Sequence, residues 1–417
     1  MNLLIIGNGF DLAHGLPTKY TDFICFCDNI EKSHWVMDSH DWKQVPLNIR
    51  NEFYSLIENN VWLKYFRQVY SELSDSHTWI DFEREIGEIV RDLDGSDPYI
   101  SILDYMNAPS EKMIRFYGTS PSSLGIFLQF FSEFQKDSNG FVIDNPDITD
   151  MRTFIYFLET HLKGFARAFE IYCLMINSIT VDMPVHDSGI KQQLSEIKHE
   201  LSNTSSGLSQ NNLRNELTKK LQCKYSEIKP TDYLSMSWFH YVLSFNYTDT
   251  YERLYGNENT QYCYIHGKAQ SDERKSNIIF GIDDYLHNGD ESNKFEWVAF
   301  KKYYQRIVLK TGSEYKDFLK QKTDQWNPHF VHIVGHSIDK TDHDVLYEIF
   351  SRENIKIVVY YYNDFDFRDK VEKVIQLLAG SKMSGRDELI RRVHGSEWTI
   401  KFTYLYDEHE GLFKSPA

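Results

Sequence analysis

The chain has 417 residues, 45 Lys+Arg against 61 Asp+Glu for a formal net charge of −16, and 41% hydrophobic residues, enough for a sizeable core. This composition excludes a largely disordered chain, and the acidic balance argues against a protein that coats nucleic acid or an anionic membrane, since both need a basic footprint. No apolar stretch approaches the ~18 residues of a spanning helix, and the N-terminal apolar run stops at Gly7 without a basic leader, so neither a membrane anchor nor a signal peptide is expected. The five cysteines are scattered, with no C-x-x-C pair, as expected of reduced thiols in a cytoplasmic protein.

In chain order, the leucine- and isoleucine-rich residues 2–6 predict a strand. Gly7-Asn8-Gly9 and a helix start over Phe10–Gly15 follow at once. Strand, glycine turn and helix in that order are how a nucleotide-binding α/β domain begins. Residues 31–235 then turn helical. Trp79, Phe82, Ile86, Ile89 and Leu93 recur at steps of three and four, as do Phe154, Leu158, Leu162, Phe165, Phe169, Cys173 and Ile176. Further helices are expected near 46–59, 97–107, 123–135, 187–202 and 210–224, with a polar loop over 202–212. Strands return as Tyr241–Phe245, Tyr262–Ile265, Asn277–Phe280, Phe330–Val334, Ile355–Tyr361 and Trp398–Leu405, with helices near 292–309, 344–352 and 366–378. The alternation predicts an α/β fold with a mainly parallel sheet. The economical organisation is one discontinuous α/β domain, 1–30 and 236–417, interrupted by a helical insertion over 31–235. Residues 31–240 hold 20 Lys+Arg and 30 Asp+Glu, most of the net negative charge, so a partner binding there is expected to be basic.

Four elements could carry chemistry. The loop Gly7 to Pro17, with Asn8, Gly9, Phe10, Asp11 and His14, could aim backbone N–H groups at a pyrophosphate, or be a plain tight turn. Asn246 and Asp249 stand just past a predicted strand, where an open parallel sheet binds its ligand. An amide there could bond a ribose hydroxyl or a carboxamide, or simply end the strand. His266-Gly267, also after a strand, offers a proton-exchanging side chain with room for a ligand, or an ordinary turn. Gly335, Ser337 and Asp339 follow the most apolar strand and could meet phosphate or ribose oxygens. His336, Asp339, Asp342, His343 and Asp344 lie close enough in sequence for a hard-metal site. Thr341-x-x-Asp344 before Val345-Leu346 fits a helix cap better. A lesser candidate is Trp79 to Glu83, where Asp81 and Glu83, two apart and so not on one helical face, could carry chemistry or, as is more common, be solvated acids at an amphipathic helix start. Asp283 and Asp284 could bond a ribose or make a turn.

Taken in order, these motifs resemble the sirtuin-type NAD-binding fold. Gly7, Gly9, Gly15 and Pro17 fall at the sirtuin loop offsets, followed by an Asn motif at Asn246, a His-Gly at His266, and Gly335 to Ser337. The run Gly-Asn-Gly-Phe-Asp-Leu-Ala-His-Gly-Leu-Pro-Thr from Gly7 to Thr18, the Ser-Phe-Asn-Tyr-Thr from Ser244 to Thr248, the Ile-His-Gly at 265–267 and the Phe-x-Lys-Tyr-Tyr-Gln-Arg at 300–306 resemble the AbiH family of bacterial abortive-infection proteins. The resemblance implies a sirtuin-like, Rossmann-type sheet and an anti-phage effector that hydrolyses NAD to nicotinamide and ADP-ribose. Asn246 and His266 would be catalytic, Asn246 orienting NAD beside the nicotinamide ribose and His266 acting as general base. Gly7, Asn8, Gly9, Phe10, Asp11, His14, Asp249, Asp284, Gly335, Ser337 and Asp339 would bind NAD, with the N–H groups at and after Gly7 and Gly9 on the pyrophosphate. Asp11 stands where sirtuins have a Ser, and Thr248 where they have an Asp. The four-Cys zinc ribbon is missing, which argues for hydrolysis over deacetylation. The pyridinium charge already activates the bond, so no metal is expected. Two other readings remain: a non-catalytic NAD- or ADP-ribose-binding regulatory module, and a metal-dependent hydrolase or nuclease. The expected partners are NAD, a phage-derived protein trigger and further copies of the chain, with no nucleic acid and no membrane.

Overall fold

Along residues 2–6 the side chains alternate between two covered faces. Leu3 and Ile5 belong to one apolar cluster, Leu4 and Ile6 to another, and all four are buried. A strand buried on both faces belongs inside a parallel sheet with helices above and below. The structure is a computed structural model, which describes residues 2–32, 40–72, 82–94, 151–179, 239–256, 258–282, 295–320, 329–352, 355–379, 392–393 and 399–404. Its strands are β1 (Asn2–Ile6), β2 (Tyr241–Ser244), β3 (Gln261–Tyr264), β4 (His329–Val334), β5 (Ile355–Tyr361) and β6 (Ile400–Tyr404). Its helices are α1 (Asn8–Ala13), α2 (Tyr20–Lys32), α3 (His40–Gln44), α4 (Leu47–Glu58), α5 (Val61–Glu72), α6 (Phe82–Asp94), α7 (Met151–Ser178), α8 (Thr250–Tyr255), α9 (Lys302–Leu309), α10 (Tyr315–Leu319), α11 (His343–Phe350) and α12 (Asp364–Ala379). Among the described residues no helix is long and apolar enough to cross a membrane.

The six strands form one sheet in the order β3-β2-β1-β4-β5-β6, and every pairing is parallel. Leu3 lies opposite Tyr241 on one side and Val331 on the other. This is the doubly wound order, in which the chain leaves the central strand first to one side and then to the other. The crevice beyond the carboxyl ends of the strands beside β1 is where such sheets bind ligands.

The described residues divide into two compact units, one drawn from Met1–Leu16, Thr180–Ile265 and Ser313–Ala417, the other from Pro17–Ile179 and His266–Gly312. The first holds the sheet. Phe318 of α10, Val345 and Ile349 of α11 and Val374 of α12 cover the face of Leu3, Ile5, Val331, Ile333 and Ile357. Phe10, Tyr251 and Tyr255 cover the face of Leu4, Ile6, Val242 and Val358. The second unit is built on aromatic rings. Phe82 stacks on Phe66 at 4.2 Å and on Tyr20 at 4.4 Å, while Phe165 and Phe169 of α7 meet Phe23 edge-on at 5.5 and 5.2 Å. Burying each such ring contributes about 1.5–3 kcal/mol beyond leaving it exposed.

The two strongest helical periodicities appear as α6 and the 28-residue α7, and the helix expected at 46–59 is α4. Trp79, Asp81, Asp283, Asp284, the expected helices near 97–107, 123–135, 187–202 and 210–224, and the loop over 202–212 lie outside the described residues. Asn277–Phe280 is not a strand. Its Ile and Phe side chains gave it a strand's composition, but they are buried in the second unit while the backbone pairs with His266 and with a side chain, Gln305. The helix expected over 292–309 is two pieces, a 3₁₀ turn at Phe295–Phe300 and α9, because Lys301 leaves the helical path and pairs in parallel with Ile282. At α11 the residue preceding the helix is Asp342, not Thr341, and it makes no side-chain cap. The Asp344 carboxylate instead accepts from the next amide, Val345, at 2.8 Å.

Candidate functional site

In the first unit, the loops that leave β1, β2 and β4 meet at the carboxyl end of the sheet. The β1 and β4 loops interlock through backbone. Gly9 N–H donates to the Gly335 carbonyl at 2.8 Å and Gly7 N–H to the Val334 carbonyl at 3.3 Å. A Cβ on Gly9 would sit 2.8 Å from the Gly335 oxygen, and a Cβ on Gly335, whose φ is +64°, would sit 2.2 Å from the Phe10 nitrogen. These glycines are thus dictated by one loop crossing another. The N–H groups of Gly7 and Gly9 expected on a pyrophosphate are engaged inside the chain, as is that of Phe10, which donates to the Gly7 carbonyl at 2.9 Å. The Phe10 side chain is core, 4.4 Å from the His14 ring. His14 is buried, with one ring nitrogen 2.7 Å from the Phe10 carbonyl and the other 2.6 Å from the Tyr255 hydroxyl.

The remaining loop residue, Asp11, is 1% exposed. Thr248 donates a short hydrogen bond to its Oδ2, and Thr250 donates to the Thr248 hydroxyl at 3.2 Å. Burial pushes the Asp11 carboxyl up to about 6, against the opposing hydrogen bond of Thr248, the nearby polar side chains of Thr250 and Asn246 and the charge of Arg253. Asp11 Oδ1 has no hydrogen-bond partner. Asn246, 4% exposed, is likewise without a full hydrogen bond at either Oδ1 or Nδ2, although it lies near enough to Asp11 to favour its charged form. A buried amide and carboxylate left in this state cost about 1–3 kcal/mol per group unless something else completes them.

The β4 loop is held in an uncommon shape. Ile338, a β-branched residue, has φ +57°, and its N–H donates to His336 Nδ1 at 2.9 Å. That bond leaves the proton on His336 Nε2, which faces Asp342 at 3.6 Å, while Phe245 packs edge-on against the ring at 4.3 Å. His336 therefore shapes the loop. Among the described residues no group of three or more His, Cys, Asp or Glu is gathered to share a metal ion. Ser337 is exposed at the loop's tip, Asp339 is half-buried 3.4 Å from Lys373, and Asp249 precedes α8 and lies 4.0 Å from Arg253. Asn8 is half-buried at the start of α1.

His266 belongs to the second unit, where it is buried with its Nε2 3.3 Å from Lys302 Nζ. The same ammonium lies 2.7 Å from Glu83. Glu83, expected to be solvated, is 4% exposed because the first turn of α6 points it inward. Gly267 serves packing more than ligand access: at φ +82° its Cβ would fall 2.1 Å from the Asn277 carbonyl oxygen. Residues 277–282 are pinned from both sides. Asn277 Oδ1 accepts from the Lys268 amide at 3.1 Å, Ile279 N–H donates to the His266 carbonyl at 2.9 Å, and the Gln305 amide brackets Phe280 at 2.9 and 3.1 Å.

The structure thus brings Asp11 and Asn246 together and sets Gly7, Gly9 and Gly335 beside them, while His266 stands in the other unit with Glu83 and Lys302. Sequence reasoning missed Thr250 and Arg253 around Asp11, and it singled out Glu83 without its partner Lys302. Lys302 carried a signal only as part of the 300–306 motif, and nothing in a motif shows which of its residues points inward.

The family model described as Bacteriophage abortive infection AbiH matches residues 3–363. Neither a curated protein nor a solved structure gives a significant match.

Proposed function

We propose how this chain, which belongs to the Bacteriophage abortive infection AbiH family and so to phage defence, does its work: it hydrolyses NAD to nicotinamide and ADP-ribose at the end of β1. The observation that carries this reading is the buried polar gap at Asp11 and Asn246, at the position where a doubly wound sheet takes a nucleotide. An amide offering donor and acceptor together suits the carboxamide or ribose of NAD. A buried carboxylate suits the positive charge that develops on the ribose as the glycosidic bond breaks.

In the proposed step the C1′–N bond breaks and its electron pair neutralises the pyridinium nitrogen. Water adds to C1′ and gives up its proton to Asp11. A general base is worth roughly 10²–10⁴ in rate and works best with a pKa near the operating pH, which favours Asp11 over His266 for the task. The two departures from the sirtuin pattern are complementary. Asp11 puts a carboxylate on the loop and Thr248 a hydroxyl on the strand end, where the family pattern has hydroxyl and carboxylate the other way round, and here the two are bonded to each other. That pairing supports a sirtuin-like sheet whose first strand and later strands are parted in sequence by an inserted helical stretch. The setting we propose is the cytoplasm of an infected cell, with a phage protein as trigger and further copies of the chain as partners.

The test is made in phage-infected cells. Cells with the wild-type chain should lose NAD and gain nicotinamide, and cells with Asp11→Asn or Asn246→Ala should do neither. Protection by the wild type with NAD unchanged overturns hydrolysis. If purified protein holds ADP-ribose yet the infected cell keeps its NAD, the binding-module reading replaces it.

A further inference from the structure

Glu83, His266 and Lys302 come from three distant stretches of chain, the start of α6, the turn after β3 and the start of α9, and converge inside the second unit at 4%, 5% and 2% exposure. The first-unit site uses none of them. We infer that Lys302, anchored by Glu83, is a positioning residue that occupies the Nε2 lone pair of His266 and fixes the imidazole as its Nδ1–H tautomer.

The argument rests on donors and acceptors. At 2.7 Å from Lys302 Nζ, the buried Glu83 carboxylate needs a cation beside it, since an uncompensated buried charge is strongly destabilising. Lys302 is therefore an ammonium, which has three N–H donors and no lone pair. The ring nitrogen 3.3 Å away must then accept, so Nε2 carries no proton. A doubly protonated ring would have no lone pair to accept from the ammonium, and a neutral ring that accepts at Nε2 bears its proton on Nδ1. The placement is rigid. Lys302 N–H donates to the Ile282 carbonyl at 2.9 Å, Ile282 N–H to the Phe300 carbonyl at 2.8 Å, and Ile279 N–H to the His266 carbonyl at 2.9 Å, so residues 279–282 splint the lysine to the histidine. While the contact holds, His266 takes no proton through Nε2, and this is so whether or not the first-unit site takes NAD.

The experiment uses full-length protein labelled with ¹⁵N-histidine, the His266 signals being those lost in His266→Gln. Wild type should show Nδ1 protonated and Nε2 unprotonated. Lys302→Met should lose that pattern, and Lys302→Arg, which keeps an N–H donor and a charge, should retain it. Where Lys302→Met alone does not fold, Glu83→Gln combined with it removes the stranded charge and serves in its place. A wild-type Nε2–H ring, or a pattern unchanged without the lysine ammonium, overturns the inference. Nicotinamide release is measured apart, so the predicted tautomer in a protein that never releases nicotinamide upholds this inference and counts against the NAD reading alone.

Discussion

A single carboxyl group sets the terms at the first-unit site. Asp11 was legible as a loop residue, but its burial, its partner Thr248 and its upward shift were not, because the threonine is far along the chain and brought near only by the pairing of β1 with β2. A carboxyl raised to about 6 from 3.8 binds its proton more tightly in the folded protein, so its contribution to stability is full below about pH 4 and is lost as pH rises through 6. The size is about 3 kcal/mol. Urea midpoints of wild type and Asp11→Asn should therefore diverge between pH 4 and 7, the variant gaining on the wild type as pH rises. On the proposed hydrolysis, with Asp11 as base, release of nicotinamide by the wild type should rise about tenfold per pH unit below 6 and level off above it. The glycines differ in the same local way. Gly335→Ala combines a left-handed φ with a 2.2 Å backbone clash, whereas Gly15→Ala meets nothing within 4 Å and bears only its φ of +72°. Thermal unfolding should show the first costing about 3 kcal/mol or more and the second about 1 kcal/mol.

At the scale of elements, the segments that sequence placed best are those whose periodicity is long. α7 repeats its apolar residues over many turns, and β1, β4 and β5 each bury apolar residues on both faces. Elements fixed by a single side chain escaped. The Gln305 amide closes three backbone hydrogen bonds, to the Phe280 N–H and to the carbonyls of Phe280 and Ala299, and so makes an irregular stretch stand where a strand was expected. Replacing it with Ala strands those groups in the interior and should lower stability by about 2–3 kcal/mol in chemical denaturation. Arg167 does similar work on α7. Its guanidinium reaches Glu52, Glu170 and the carbonyls of Gln270 and Ser271 at 2.7–3.3 Å. A lysine there keeps the charge but has too few donors and no fork, so Arg167→Lys should cost about 1–3 kcal/mol and loosen the turn that carries His266, visible as faster amide exchange over 266–276.

For the whole molecule, ligand binding and stability report on each other. A ligand that completes Asp11 and Asn246 stabilises the folded state, by about 2.7 kcal/mol at a hundred times its Kd. ADP-ribose should accordingly raise the melting temperature of the wild type and leave that of Asn246→Ala unmoved, and equal shifts in both would place the ligand elsewhere. The excess of acidic residues weighs against nucleic acid as a partner and is as readable from composition as from coordinates. The α/β class with its parallel sheet, and the AbiH family, were readable along the chain, because strand–helix alternation and the glycine, Asn and His-Gly motifs are local. Which motif residues come to lie together was settled by folding. Strand order joined Asp11 to Asn246 and Thr248 across more than two hundred residues, and helix packing turned Glu83 inward to Lys302 and His266, because buried charge must find its partner wherever the fold brings one within reach.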